Sequence, residues 1–96
     1  MLTHIVMWKY RGDTSQDTRD DHVAQLQSLS SVVPGIQSFS VGVDVLHSPR
    51  SYDTGLVATF RDRSVLEAYS DHPDHVKIVE FSRGICETMA KVDFED

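Results

Sequence analysis

Five histidines in 96 residues raise the possibility of a metal site, and two of them, His72 and His75, stand three apart beside Asp71 and Asp74. Such a pair on one helix turn can share a metal ion. Here Pro73 lies between them and no third ligand follows at a fixed spacing. Capping or core roles therefore stand beside metal binding, and no metal or other cofactor is assigned. His72 precedes a proline, which makes it a residue that ends one helix and starts another. His75 is the centre of the one candidate site, with helix capping or a hydrogen bond to His4 as its structural alternative. Tyr69 has its own alternative, as a core residue whose hydroxyl reaches the surface. His22 follows Asp21 on a helical segment and is expected to be solvated, and His47 falls in a loop without a role. Cys86 is the sole cysteine, lies in an apolar run and has no basic neighbour nearer than Arg83. A buried, inert thiol is expected there.

The elements that would position these side chains follow from periodicity. Leu2 to Tyr10 is rich in β-branched and aromatic residues and predicts a strand. After a turn at Arg11-Gly12-Asp13, a helix is predicted from Ser15 or Thr18 to about Val33, on the spacing of Val23, Leu26, Leu29 and Val33. Pro34-Gly35 stops it. Ile36 to Val45 and Thr54 to Phe60 predict two more strands around an exposed loop from His47 to Asp53. Ser64-x-x-Glu67 has the form of a capping box and opens a short helix through Tyr69. A further helical turn or two run from Asp74 towards Arg83, and a last strand spans about Ile85 to Phe94. The order β-α-β-β-α-β predicts an α+β, ferredoxin-like fold, a four-stranded antiparallel sheet with helices on one face.

Both faces of the first strand are apolar: His4, Val6, Trp8 and Tyr10 alternate with Thr3, Ile5, Met7 and Lys9. A sheet covered on one side only would show a polar second face. A second copy closing sheet against sheet is the economical cover, so a homodimeric barrel is expected. The length allows one domain, residues 1–96, that buries only about two-thirds of its unfolded surface. The net charge is −6 and the nine Lys and Arg are scattered, which argues against nucleic acid as a partner. No apolar run approaches the ~20 residues needed to span a bilayer. No export signal is read at the N-terminus, and a lone cysteine fits a reducing, cytoplasmic setting.

Four features, taken together and in order, carry a resemblance: His4-x-Val6-x-x-Lys9-Tyr10, Val33-Pro34-Gly35-Ile36, Gly42-x-Asp44, and Tyr69-x-x-His72-Pro73-x-His75. In these the chain resembles the stress-responsive A/B barrel domain proteins, dimeric α+β barrels, along nearly its whole length. The resemblance implies a homodimer with a small-molecule cleft between sheet and helices in each subunit. A plant relative, olivetolic acid cyclase, performs an aldol condensation with a histidine and a tyrosine, which by the motif correspond to His75 and Tyr69. An imidazole can take a proton from a carbon next to a carbonyl, and a phenol can stabilise the enolate. His4 matches a first-strand histidine of the family. The resemblance thus places His4, Val6, Trp8 and His72 among ligand-contacting residues, with Ile5 and Met7 at the dimer contact. Two departures stand out. Thr54 falls where the cyclase has a further histidine, and Trp8 replaces a smaller aliphatic residue and should shorten the pocket. Three readings follow: a ligand-binding or lyase-like enzyme, a cofactor-free or haem monooxygenase-like enzyme, and a non-catalytic, stress-linked dimeric protein.

Overall fold

The computed structural model describes residues Met1–Asp96. Its elements are β1 (Leu2–Tyr10), α1 (Gln16–Gln27), β2 (Ile36–Val43), β3 (Thr54–Phe60), α2 (Arg63–Asp71), α3 (Pro73–Ile85) and β4 (Cys86–Glu95). The strands form one antiparallel sheet in the order β2-β3-β1-β4. The three helices pack on one face, a ferredoxin-like arrangement.

β1 is a central strand, and its alternation is sorted as the sequence predicts. Leu2, His4, Trp8 and Tyr10 are buried beneath the helices with Leu56, Ala58 and Phe60 of β3. From above, Leu26 and Leu29, Val65 and Tyr69, and Ile78 close the core. The opposite face presents a row in which Ile5 is flanked by Val57 on β3 and Val92 on β4. Val57, Val92, Met7 and Phe94 are 40–52 % exposed there.

The helix ends differ from the sequence expectation, each for a local reason. α1 starts where the Ser15 hydroxyl accepts a hydrogen bond from the Thr18 amide at 3.2 Å. It ends at Gln27 rather than near Val33, and Leu29 reaches the core from the turns that follow. Apolar spacing continues past the helix because a turn can bury the same residues. α2 is capped not by Ser64 but by Asp62, which accepts from the Val65 amide at 3.2 Å. Hydrogen bonds from Ser64, Arg61 and the Val65 amide hold the Asp62 carboxyl down at about 2. The element after Pro73 is not a turn or two but a helix of 13 residues. His72, with ψ 134°, ends α2 and caps α3, its Nδ1 accepting from the Asp74 amide at 3.1 Å. Proline at the first position of α3 lacks only an amide hydrogen that the helix does not use.

Gly35 takes φ +96°, and a Cβ there would meet Cγ2 of buried Val65 at 2.6 Å. Both the backbone angle and the contact demand glycine. Gly35→Ala is expected to lower stability by about 3 kcal/mol, combining left-handed strain with overpacking against a stiff β-branched side chain. Urea unfolding measures it, and a loss below the uncertainty of extrapolation would show that the loop relaxes freely.

Candidate functional site

Between the inner face of the sheet and the helices lies a cavity of about 410 Å³. β1 contributes His4, Val6 and Trp8, α2 contributes Tyr69, and α3 contributes His75 and Ile78. The wall is mainly apolar, with few polar groups, as ligand sites commonly are. Five of the six site residues expected from the sequence therefore line one space. His72 does not. It serves the helix junction and stands outside the cavity. Ala58 on the same face of the sheet is fully buried in the core and does not line the cavity.

His75 has a defined tautomer. Its Nδ1 lies 3.0 Å from the Ser70 carbonyl oxygen, which can only accept, so Nδ1 carries the proton and Nε2 keeps its lone pair. Burial lowers the pKa of this imidazole, against the Ser70 hydrogen bond, and the charges of His4 and Lys91 lower it further. The ring is therefore a neutral base at pH 7. Its centroid lies 4.6 Å from that of Tyr69.

Tyr69 is 1 % exposed, packed among Phe60, His75 and His4. Burial pushes its phenol above the ordinary range, so it stays protonated. The hydroxyl makes no hydrogen bond within the chain, and it is not a sealed polar atom. It is a free donor at the cavity wall. No direct hydrogen bond joins His75 to His4. Instead His4 reaches across the strand pair to Asp93, directly opposite it in the β1–β4 register, through Nδ1. Burial works against the Asp93 charge, but His4 and Lys91, 3.2 Å away, outweigh it and hold the carboxyl below its usual pKa.

His22 corrects an expectation. It is not solvated but fully buried, because α1 turns this side chain inward rather than towards Asp21's exposed face. Nδ1 lies 2.8 Å from the Tyr10 hydroxyl and Nε2 2.7 Å from Ser82 Oγ. Ser82 donates to the Ile78 carbonyl at 2.9 Å, so it must accept from His22 Nε2–H. Nδ1 then accepts from Tyr10, whose oxygen in turn accepts from Thr54 at 2.9 Å. One proton arrangement satisfies every group. Thr54, which falls where the cyclase has a further histidine, thus belongs to this core network and does not line the cavity. Trp8 packs edge-on against His22 at 5.2 Å while forming part of the cavity wall. Cys86 is buried, and burial pushes its thiol up to about 11, an unreactive state.

The sequence reading missed Asp93 and the His22 network. β4's pairing register would have supplied the first, and no local signal carries the second.

The profile of the stress responsive A/B barrel domain matches residues 2–96. The chain belongs to that family. No curated protein sequence matches this A/B barrel domain. Among solved structures, a dimeric ferredoxin-like protein of unknown function from Thermobifida fusca superposes with a TM-score of 0.90 at 22 % identity, covering 99 % of this chain and 90 % of that one. A dimeric ferredoxin-like protein from Jannaschia gives 0.83 at 29 %, with 99 % and 98 % covered. The hydroxynitrile lyase from Passiflora edulis gives 0.83 at 19 %, with 97 % and 90 % covered.

Burial pushes the His22 imidazole down to about 4 from an ordinary 6.5, against the pull of Asp21. A lowered histidine favours folding above its unfolded pKa and costs stability as pH falls from 6.5 towards 4. At pH 5 the expected loss from His22 is about 2 kcal/mol. Burial also lowers the His75 pKa, which acts on stability with the same sign. Urea unfolding of the native chain and His22→Gln at pH 7 and pH 5 isolates the His22 share, and equal pH slopes would refute it.

Proposed function

We propose that this A/B barrel domain is a homodimeric small-molecule protein that performs acid/base chemistry, cyclase- or lyase-like, on an enolisable carbonyl compound. One juxtaposition carries the reading: His75, with its proton committed to Ser70 and Nε2 free, beside an unpartnered Tyr69 hydroxyl in the same cavity. His75 Nε2 takes a proton from the carbon next to the carbonyl. Tyr69, held protonated by burial, donates to the oxygen that becomes the enolate. His4, anchored by Asp93, stands 5.9 Å from the Tyr69 ring as a second polar contact for the ligand. Protonated His75 then returns its proton to the product or leaving group. Trp8 limits the depth of the cavity and favours a compact ligand over a long alkyl chain. The Passiflora edulis hydroxynitrile lyase lends a precedent for the class of chemistry on this fold.

In the same reading two copies close their outer sheet faces. The Val57–Ile5–Val92 row, with both valines exposed, supports this, as do relatives described as dimeric. Exposed apolar rows of this kind mark association surfaces.

Acetophenone in D₂O, followed by NMR, tests the chemistry through exchange of its methyl protons. The native protein is expected to accelerate exchange. His75→Gln should lose about 100-fold or more of that acceleration, and Tyr69→Phe about tenfold or more. Because the base must be neutral and its pKa is lowered, the rate should hold to below pH 6.5 before it falls. Equal exchange by native protein and His75→Gln would remove His75 from the role. Separately, Val57→Asp is expected to convert a dimer into a monomer in analytical ultracentrifugation. A native monomer would sink the two-copy barrel.

A further inference from the structure

The carboxylates of this chain outnumber its Lys and Arg by 15 to 9, yet no Asp or Glu lines the cavity, while Arg83 and Lys91 both do. Chance placement in an acidic protein would give the opposite balance. The two cations are not equivalent. Lys91 is paired with Asp93, the carboxylate that also holds His4. Arg83 takes part in none of the chain's ion pairs and in no side-chain hydrogen bond. It sits in the last turn of α3, eight residues beyond His75 on the same helix, about 12 Å along the axis. Its long side chain can close part of that distance, because helical side chains lean towards the N-terminus. Between the two along α3 lie the apolar lining residues Ile78 and Val79, and Val6 of β1 also lines the cavity.

The cavity is therefore graded: a base and a hydroxyl donor at one end, an apolar middle, and an uncompensated guanidinium at the other. We propose that its ligand is an apolar carbonyl compound that also bears a carboxylate, and that Arg83 receives this carboxylate. This rests on the carbonyl reading of His75 and Tyr69 and adds the charge and polarity of the substrate. A planar guanidinium fork matches a carboxylate through two parallel hydrogen bonds. A single unpaired Arg balances a monoanion. The apolar stretch excludes small, fully hydrated anions, whose desolvation it would not compensate. Net negative charge on the rest of the chain repels anions generally, so Arg83 makes the cavity selective for an acid that also fits the apolar wall.

The probes are 4-acetylbenzoate and 4-acetylbenzamide, which share an aryl methyl ketone and differ in the charge of one group. Amide chemical-shift titrations by NMR give both affinities, with shifts at Ser82 and Lys91 locating the ligand in the cavity rather than on the outer sheet face. The carboxylate is expected to bind about fivefold more tightly than the amide. Arg83→Gln should erase that ratio and leave the affinity for 4-acetylbenzamide unchanged. Arg83→Lys should keep part of it, and about 0.5 M NaCl should narrow it in the native protein. Equal affinities in the native protein, or a ratio that survives Arg83→Gln, would overturn the role of Arg83 while leaving the carbonyl reading standing. Absence of binding by both probes would overturn both. Because Arg83 is exposed and unpaired, the variants are expected to fold, and preserved amide dispersion confirms it.

Discussion

β1 and α1 carry two imidazoles, those of His4 and His22, under the helical layer, where they are 6 % and 0 % exposed. Each loses its water and must find partners on other elements, since an unpaired buried polar group costs about 1–3 kcal/mol. The partners chosen tie the fold together. His22 links Tyr10 on β1 to Ser82 on α3 and, through Tyr10, to Thr54 on β3. His4 links β1 to Asp93 on β4. No buried side-chain nitrogen or oxygen is left without a partner. Displacing α3 from the sheet would break the His22 chain at Ser82, so the same network that satisfies the core also sets the roof of the cavity.

Against that satisfied interior, the cavity stands out for what it leaves unpaired. The Tyr69 hydroxyl, His75 Nε2 and the Arg83 guanidinium have no partner in the chain, though each belongs to a residue whose neighbours are well packed or helical. Sealed polar atoms are all paired, and these three accessible groups are free to meet a ligand. The junction at His72-Pro73 makes this possible. It ends α2 just after Tyr69 and starts α3 just before His75, so the two side chains meet across a bend rather than along one helix. Ser70, in the last turn of α2, then sits where its carbonyl can fix the His75 tautomer.

The outer face of the sheet obeys a different rule. Its polar positions on β2 and β3, such as Ser38 and Thr59, pair with each other, while the Val57–Ile5–Val92 row across β3, β1 and β4 stays apolar. Similar structures described as dimeric and the proposed two-copy barrel account for that face without any change to the cavity, which lies on the opposite side of the sheet.

The ferredoxin-like fold, the sorting of β1 into two faces and the gathering of five of the six expected residues around one candidate cavity were legible in the sequence, because each depends on local periodicity or on a short motif. Helix ends were less so: Asp62 outcompeted Ser64 as a cap, and apolar spacing ran past the end of α1 into turns that bury the same side chains. The partners of His4, His22 and Arg83 were decided only in three dimensions. His4 and Asp93 are 89 residues apart and His22 and Ser82 are 60 apart. Their meeting depends on strand register and on how α1 and α3 pack over the sheet. Residue types and spacings determined which groups could act; long-range packing determined which of them were neutralised by partners and which were left free to meet a ligand.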